Sequence, residues 1–312
     1  MSVNRTVIEA ELKPIAGSLF QPTGFPDLGA AEFETGQDGR ALLVESAQSM
    51  ANRLEGTTWD EAAAGPAADL EALPYVRVVS PDGAFLSSSR LEAHRLASAY
   101  IMEGQIDGLR GEDWMLGQLG LVPGHPLDYR AVARACFRLD PVSLIHGVFF
   151  ARKGTKDHPW PWQPRIARAV TSFIEATGIR PAVSGGVKRD VVNNEVVGQG
   201  DTAKGYGSVP HHRVEYSADS ITAYFTIDHA QFRSYGLSEA ATQLLEALAL
   251  YEISTLLEGG LRLRTRCDLV IKEVRGLGQV SAAEAASQAR AHAVACAGEL
   301  GPVTTAIWSR GK

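Results

Sequence analysis

The chain has 312 residues, of which 45% are hydrophobic and 21% charged, so it can bury a substantial core. No stretch resembles a membrane-spanning helix and the N-terminus lacks the apolar core of a signal peptide, so we expect a cytoplasmic protein without membrane contact. The net charge of −6 argues by itself against nucleic acid, and three isolated cysteines argue against disulfides and cysteine-based zinc sites; we expect buried free thiols.

The N-terminal part of the chain predicts two strands and one helix. Alternating residues 7–14 indicate a strand, and the Gly- and Pro-rich residues 17–29 form a loop long enough to be functional, with Phe20 and Phe25 expected to be exposed. Residues 41–44 are typical of a strand, and residues 45–55 of a helix.

A hairpin and a further helix follow. Residues 75–79 and 84–86 favour two strands joined by a Ser-Pro-Asp-Gly turn. The serines at 87–89 are candidate N-caps for a helix that carries Arg90, His94 and Arg95.

The middle of the chain contains the most unusual segment. We predict a buried strand at 141–151 and an amphipathic helix at 164–177 that ends at Gly178. Residues 183–207 are rich in glycine and fit two β-rich arms joined by a flexible tip.

The last third shows clearer patterns. Residues 221–227 predict a strand and residues 237–258 a helix, and residues 261–274 alternate like a strand with Arg262, Arg264 and Arg266 on one face. A final helix is expected at 281–300. This mixture favours an α+β fold, a ferredoxin-like (RRM-like) core with large insertions.

The charge of the chain is unevenly distributed. Residues 151–213 contain ten lysines and arginines against five acids, so this stretch is +5 and the remainder is −11. A basic stripe on an acidic body can bind a phosphate backbone, although the same excess can lie on solvated faces.

No familiar catalytic motif is present. The sequence has no P-loop, no zinc-protease helix, no calcium loop and no nucleophile elbow. His211 and His212 are adjacent, so in a strand they point to opposite faces, and His146 in an apolar run is expected to be a core or interface residue. A metal-independent ribonuclease that uses His and Lys stays open at this point.

Candidate binding residues are more numerous. Arg90, His94 and Arg95 follow a serine-rich helix start that can attract phosphate, and Phe20, Phe25 and Tyr206 lie in glycine-rich loops where a ring can stack on a base. Each also has a structural explanation, as an ion pair with a nearby glutamate, a solvated face or a core side chain. Taken together they favour RNA.

Several motifs resemble one known family. The segments 20–31 and 42–55, with 89–96, 140–147 and 261–269, resemble the backbone subunit of type I-G (formerly I-U) CRISPR systems. That subunit belongs to the family-seven CRISPR-associated proteins of the RAMP superfamily. The resemblance extends from the first strand into the last third, and the two N-terminal motifs are long and specific.

The resemblance implies a hand-shaped, non-catalytic protein without cofactor or metal. It implies one RRM-like palm over 1–312 with a finger insertion at about 56–125 and a thumb at about 183–213. Copies would stack head to tail along the guide RNA (crRNA) within a surveillance complex (Cascade). They would work with its other subunits and leave the bases free to pair with target DNA in antiviral defence.

The predicted RNA contacts follow from both lines of argument. They are Phe20, Gln21, Gln48, Asn52, Arg53, Ser88, Arg90, His94, Arg95, Lys188, Arg189, Lys204, Arg213 and Arg264. The alternative is a guide-processing, metal-independent endoribonuclease of the same superfamily, which needs a clustered His/Lys/Tyr site. Asp27 lies in a loop comparable to one that carries an RNA-cutting aspartate in type III relatives, but the type I resemblance argues against slicing.

Overall fold

The computed structural model describes residues 4–25, 28–36, 39–153, 160–188, 209–278 and 280–309. Its strands in these ranges are β1 Arg5–Pro14, β2 Gly24–Phe25, β3 Gly29–Ala30, β4 Glu32–Thr35, β5 Gly39–Glu45, β6 Trp59–Asp60, β7 Gly65–Pro66, β8 Val76–Val79, β9 Phe85–Ser88, β10 Gln105–Ile106, β11 Leu109–Arg110, β12 Val148–Phe149, β13 Arg165–Ile166, β14 Val170–Thr177, β15 Arg180–Lys188, β16 Val209–Ser217, β17 Ser220–Asp228, β18 Leu261–Arg264, β19 Cys267–Arg275 and β20 Thr304–Ile307.

The helices lie between these strands. They are α1 Ala47–Gly56, α2 Ala99–Met102, α3 Gly111–Gln118, α4 Tyr129–Leu139, α5 Val142–His146, α6 His229–Ser234, α7 Glu239–Gly259 and α8 Ala282–Ala295, with 3-10 turns at Ala68–Leu70 and Arg95–Ala97. Within the described ranges, no helix combines the length and apolarity needed to cross a bilayer. The mixture of long strands and packed helices confirms the α+β prediction.

The main sheet has seven strands in the order β18-β19-β1-β17-β14-β5-β4, and every neighbouring pair is antiparallel. Side-chain alternation explains the pairing of β1 with β17, because Ile8, Ala10 and Leu12 all point to the buried face. In the β1–β17 register, Ile8 lies opposite Phe225, which is also fully buried. Helices α1 and α5 pack against β14, and α6 against β1, so one face of the sheet is covered.

The chain visits the four central strands in a defined sequence. Helix α1 lies between β1 and β14 in the chain, and helix α7 lies between β17 and β19. In space these strands are ordered β19-β1-β17-β14. Two strand-helix-strand crossovers are therefore interleaved in one antiparallel sheet.

A second sheet is built from distant parts of the chain. Its order is β11-β10-β20-β8-β9, and β20 near the C-terminus is parallel to β8. Strands β8 to β11 come from the predicted finger segment, about residues 56–125. Strand β20 lies between β10 and β8 and joins the two hairpins of that segment into one sheet.

The predicted thumb segment contributes a two-stranded ladder. Strands β15 and β16 pair from Arg180 with Ser217 to Lys188 with Val209. The first predicted arm within 183–207 lies in β15, whereas its partner β16 begins at Val209, beyond that segment, and residues 189–208 lie outside the described residues. The side chains of Val183 and Val187 are 71% and 57% exposed.

The predicted helices at 45–55, 237–258 and 281–300 and the predicted hairpin at 75–86 are confirmed, and the structure places a serine cap at the start of each of these helices. Ser46 caps α1, and its hydroxyl accepts a hydrogen bond from the backbone N–H of Ser49 at 3.2 Å. Strands β8 and β9 form the predicted hairpin, and α7 and α8 begin after Ser238 and Ser281 as N-caps. All three cysteines are free and buried.

Two predicted elements in the middle of the chain are wrong. Residues 164–177 contain no helix, because β14 pairs with both β17 and β5 and its β-branched residues suit the sheet centre. Residues 141–151 are not one strand; they form α5 and then the short β12. A brief apolar run has no period that separates a helix from a strand. In the structure the Asp140 carboxylate accepts a hydrogen bond of 3.2 Å from the N–H of Val142, the first residue of α5.

Two other predictions also need correction. Residues 87–95 do not form a helix, since β9 continues to Ser88 and a 3-10 turn begins only at Arg95. Residues 261–274 form a hairpin rather than one strand, with Arg264 opposite Cys267 and Arg266 in the turn at a φ of 65°. The three arginines therefore do not share one strand face.

Candidate nucleic-acid interface

A cleft of about 550 Å³ opens between the first turn of α1, the 3-10 turn Arg95–Ala97 and the β12–β13 pair. It is lined by Gln48, Ala93, His94, Arg95, His146, Gly147, Val148, Phe149, Ala151, Arg165, Ile166, Ala167 and Arg168. The fold thus brings together three predicted contacts, Gln48, His94 and Arg95, with two arginines from the basic stretch 151–213. We call this the basic cleft.

Arg165 and Arg168 are the cations that dominate the basic cleft. Neither guanidinium forms an ion pair with a carboxylate in the part of the chain that the structure describes: Arg165 lies over the Phe149 ring, and Arg168 donates to the Ala47 carbonyl at 3.2 Å. Burial lowers the pKa of Arg168, and repulsion from Arg95 adds to this effect. An anion in the cleft would relieve both penalties, so the site is suited to phosphate.

Arg95 borders the cleft but is already neutralised. Its Nε lies 2.5 Å from Glu55 Oε1, one terminal nitrogen lies 2.7 Å from Oε2, and the other donates to the Gly147 carbonyl at 3.0 Å. Only 9% of the side chain is exposed. Arg95 therefore forms part of the cleft wall. Its hydrogen bonds to Glu55 and Gly147 fix the guanidinium and limit direct contact with a ligand.

His146 closes the floor of the cleft. Its Nε2 lies 2.8 Å from a carboxylate oxygen of Glu252, and both side chains are fully buried. Burial by itself lowers the pKa of His146, but the carboxylates of Glu252 and Glu55 outweigh it, and the pKa is raised. The expectation that His146 is a satisfied core residue holds for Nε2, while Nδ1 has no hydrogen-bond partner among the described residues.

The outer face of α1 presents two predicted contacts to solvent. Gln48 and Asn52 are exposed and four residues apart, so they share one face, while Met50 and Leu54 are buried on the other. The first turn of α1, which carries Gln48, borders the cleft. The positive end of the helix dipole adds to the attraction for anions there.

Arg53 and Arg264 converge on the buried carboxylate of Glu45. Arg53 Nε lies 3.3 Å from Glu45 Oε1, and the Arg264 guanidinium also forms an ion pair with Glu45. Arg264 further donates to the carbonyls of Gln21 and Val44, at 3.0 and 3.1 Å. About a quarter of each arginine side chain stays exposed (27% and 24%). Arg264 thus holds the loop after β1 at Gln21, and Arg53 joins α1 to β18 by donating to the Leu263 carbonyl at 2.7 Å.

A second buried carboxylate, Glu215 of β16, lies at the base of the β15–β16 ladder. Arg266 Nε is 2.7 Å away, Arg213 is 4.0 Å away, and the Ser184 hydroxyl donates at 3.3 Å. The hydrogen bond from Arg266 holds the pKa of Glu215 below its ordinary value. The ladder is therefore tied to the β18–β19 turn, and Arg213 and Arg266 keep part of their surface exposed.

Three predicted contacts are core residues. Phe20 has no exposed surface and exchanges two backbone hydrogen bonds of 2.9 Å with Tyr216, so the expectation of an exposed ring is wrong. Ser88 is fully buried at the end of β9. The Arg90 guanidinium is also buried, with Nε 3.6 Å from Asp140, because the core supplies a carboxylate. None of these side chains is accessible to RNA in this conformation.

The remaining predicted contacts lie on or near the thumb segment. Lys188 is exposed at the end of β15. Arg189 and Lys204, and Asp27 in the first loop, lie outside the described residues, so their roles stay predictions.

Sequence reasoning did not single out Arg165, Arg168 or Phe149 as contacts. The signal for the two arginines was the charge excess of 151–213, but a predicted helix at 164–177 placed them on the wrong element. Phe149 stood within a predicted buried strand and had no distinguishing signal. Among the described residues, no group of three or more His, Cys, Asp and Glu side chains has metal-binding geometry.

Alanine at position 147 should destabilise the protein and distort the basic cleft. Gly147 has a φ of 79°, and a Cβ would lie 2.7 Å from the Ile166 carbonyl oxygen and 3.0 Å from the Arg168 backbone nitrogen. We expect G147A to lower the free energy of unfolding by about 1–3 kcal/mol, measured by chemical denaturation. The control is G117A in α3, where a Cβ meets nothing and should be neutral or stabilising. Equal stability of G147A and the wild type would contradict this.

Comparison with known proteins gives one family assignment. The family model described as CRISPR-associated protein GSU0053 (Cas_GSU0053) matches residues 6–181, more than half of the chain. All residues that line the basic cleft lie inside this segment. No curated protein matches the chain.

Two solved structures are similar at low identity. A chain described as "CRISPR RNA-guided surveillance complex, pre-nicking" has 11% identity and a TM-score of 0.40, over 80% of this chain and 71% of that chain. The crystal structure of Thermofilum pendens Csc2 has 12% identity and a TM-score of 0.31, over 92% of this chain and 72% of that chain.

Proposed function

The chain belongs to the CRISPR-associated GSU0053 protein family, and from this premise we propose that it is the backbone subunit of a type I-G (formerly I-U) CRISPR surveillance complex. In this proposal copies of the chain polymerise head to tail along the guide RNA in the cytoplasm. They hold its phosphates, expose its bases for pairing with target DNA and contact other subunits of the complex. The subunit itself performs no catalysis.

The observation that carries this proposal is the basic cleft. It gathers Arg165 and Arg168, two arginines without a carboxylate partner in the described ranges, on a protein whose net charge is −6. Local positive charge on an acidic body is expected of a site that grips one polyanion and leaves the remaining surface soluble. Guanidinium groups hold phosphate without choosing a sequence, and a backbone subunit must accept every guide.

The palm of the proposed hand is the main sheet. Its strand order β19-β1-β17-β14, with α1 and α7 as the two crossovers, supports a ferredoxin-like (RRM-like) palm. The second sheet is the proposed finger, and the β15–β16 ladder is the proposed thumb. A head-to-tail contact between identical copies is heterologous and does not close, so it leads to a filament.

Purification of the full-length protein tests this proposal. After lysis without added nuclease, we expect RNA of discrete length to co-purify, to raise the ratio of absorbance at nucleic-acid and protein maxima, and to lie on helical assemblies in electron micrographs. An RNA-free monomer that also fails to bind single-stranded RNA at low salt would overturn the proposal.

The alternative, a guide-processing endoribonuclease, has one observation in its favour. His94 and His146 both line the basic cleft, and an imidazole near phosphate-binding arginines is suited to metal-independent cleavage. His94 is exposed, whereas His146 is engaged with Glu252. Cleavage of a hairpin precursor in the presence of a chelator, lost in H94A, would establish the alternative. Intact precursor after prolonged incubation would favour the backbone role.

A further inference from the structure

We propose that the Phe149 side chain stacks on one nucleobase of the single-stranded RNA whose phosphates the basic cleft holds. This inference rests on the proposed function and adds the group that would recognise a base. It assigns a binding role to a residue that the predicted contacts did not include.

The register of a short strand sets the position of the ring. Val148 is 4% exposed and Phe150 is fully buried, while Phe149 between them is 46% exposed. Alternation along the chain therefore anchors both neighbours in the core and turns the Phe149 ring outward into the cleft. Antiparallel pairing of Val148 with Ile166 and of Phe149 with Arg165 fixes the backbone that carries the ring.

Arg165 supports the ring from its cross-strand position. The central carbon of its guanidinium lies 5.8 Å from the ring centroid, within the range of a cation–π contact. This contact orders both side chains before any ligand arrives, so less conformational entropy is lost on binding. The same guanidinium has no carboxylate partner in the described ranges and stays available for phosphate.

The surroundings favour a nucleotide over a purely apolar ligand. A half-exposed phenylalanine is an apolar surface, but here it borders the exposed amide of Gln48 and two arginines that have no carboxylate partner among the described residues. Single-stranded RNA presents an aromatic base and a phosphate on each residue, which matches this combination. The volume of about 550 Å³ falls within the range of roughly 300–1,000 Å³ that is usual for small-ligand sites.

Stacking makes the expected recognition tolerant of sequence. Every base has a π face, so a phenyl ring accepts all four, with stronger stacking for purines. This property agrees with a subunit that must hold unrelated guides. A ring that rests on one base would also fix the register of the RNA against each copy of the protein.

The test compares normal RNA with RNA that lacks bases. Binding of a fluorescein-labelled oligoadenylate, and of an abasic ribose-phosphate oligomer of the same length, is measured by anisotropy at one salt concentration. We expect F149L to weaken binding of oligoadenylate by about tenfold and to leave the abasic oligomer unaffected. F149W should retain wild-type affinity for both. The matched control is F33L, which changes a 43% exposed phenylalanine on β4, outside the cleft, and should change neither affinity.

A second measurement follows the stacked base itself. Oligoadenylate in which 2-aminopurine replaces adenine should lose fluorescence when it binds the wild-type protein, because stacking on an aromatic ring quenches this base. F149L should restore the fluorescence under saturating conditions. Thermal unfolding of F149L and F33L verifies that both variants are folded.

The outcomes separate this inference from the proposed function. If the wild type binds both oligomers and F149L binds them equally well, or loses both equally, the stacking role is wrong while RNA binding stands. If the wild type binds neither oligomer, the proposed function fails and this inference fails with it. If F149L loses affinity for oligoadenylate but not for the abasic oligomer, the result supports both the stacking role of Phe149 and the proposed function.

Discussion

Replacing Asp140 with alanine is expected to lower the free energy of unfolding by about 3–5 kcal/mol. Arg90 is completely buried, and Asp140 is the carboxylate that faces it, with 3.6 Å between Arg90 Nε and Asp140 Oδ1. Burial raises the pKa of Asp140 and lowers that of Arg90, so each charge depends on the other. The alanine variant leaves a buried guanidinium with only carbonyl acceptors, those of Thr58 and Pro74, at 3.4 and 3.2 Å.

The same carboxylate also orders the segment that leads to the basic cleft. Asp140 accepts hydrogen bonds from the hydroxyls of Ser89 and Ser143, at 2.7 and 3.2 Å. Residues 89–95 run from this pair to His94 and Arg95 at the cleft wall. We therefore expect D140A to weaken RNA binding as well, through loss of order and not through loss of a direct contact.

Chemical denaturation measures the effect, and two variants serve as references. D219A removes an acid that pairs with Arg180 at the surface, where both side chains are more than 60% exposed, and should leave the free energy of unfolding close to that of the wild type. The double variant R90M/D140L replaces the buried pair by apolar groups and should be more stable than D140A. A D140A variant that unfolds at the same denaturant concentration as the wild type would show that Arg90 is not dependent on this partner.

Removing the charges of Arg165 and Arg168 from the basic cleft should have the largest effect on RNA binding. For R165Q/R168Q we expect affinity for single-stranded RNA to fall on the order of 100-fold at moderate ionic strength, because two charge-assisted phosphate contacts are lost. The slope of log affinity against log salt should fall by about 1.4, at about 0.7 for each phosphate contact on a single strand. Anisotropy titrations over a range of salt concentrations measure both quantities.

The control for this experiment carries the same change in net charge. R134Q/R138Q removes two exposed arginines of α4, a helix that contributes no residue to the cleft, so its salt slope should equal that of the wild type. Equal slopes for all three proteins would mean that RNA, if bound, lies elsewhere. Because Arg168 also binds the Ala47 carbonyl, thermal unfolding must show that the cleft variant keeps the stability of the wild type.

Much of the secondary structure could be predicted because its signals are local. Apolar patterns predicted the strands β1 and β17, and residues 237–258 and 281–300 predicted the helices α7 and α8. The long motifs within residues 20–55 also indicated the family. These features depend on neighbours within a few positions of the chain, so they can be recognised before any tertiary contact is known.

The candidate site could be predicted only in part. Gln48 and Asn52 are exposed on α1 as expected, since helical spacing places them on one face. Burial of Arg90 and Arg95 depends on Asp140 and Glu55, which lie 50 and 40 positions away in the chain. Their RNA-binding role was inferred from their charge, a predicted serine-capped helix and the resemblance of segment 89–96, and none of these signals reveals a buried partner that is distant in the chain.

The sequence by itself determined the α+β class, the hairpin turn between β8 and β9, the excess of positive charge in 151–213 and the resemblance to a CRISPR family. Only the tertiary structure decided that residues 170–177 are a central strand and that Arg165, Arg168 and Phe149 meet α1 in one cleft. The physical reason is that short segments have nearly balanced helix and strand preferences. Pairing with strands that are distant in sequence, β5 and β17, then selects the conformation and the neighbours of each side chain.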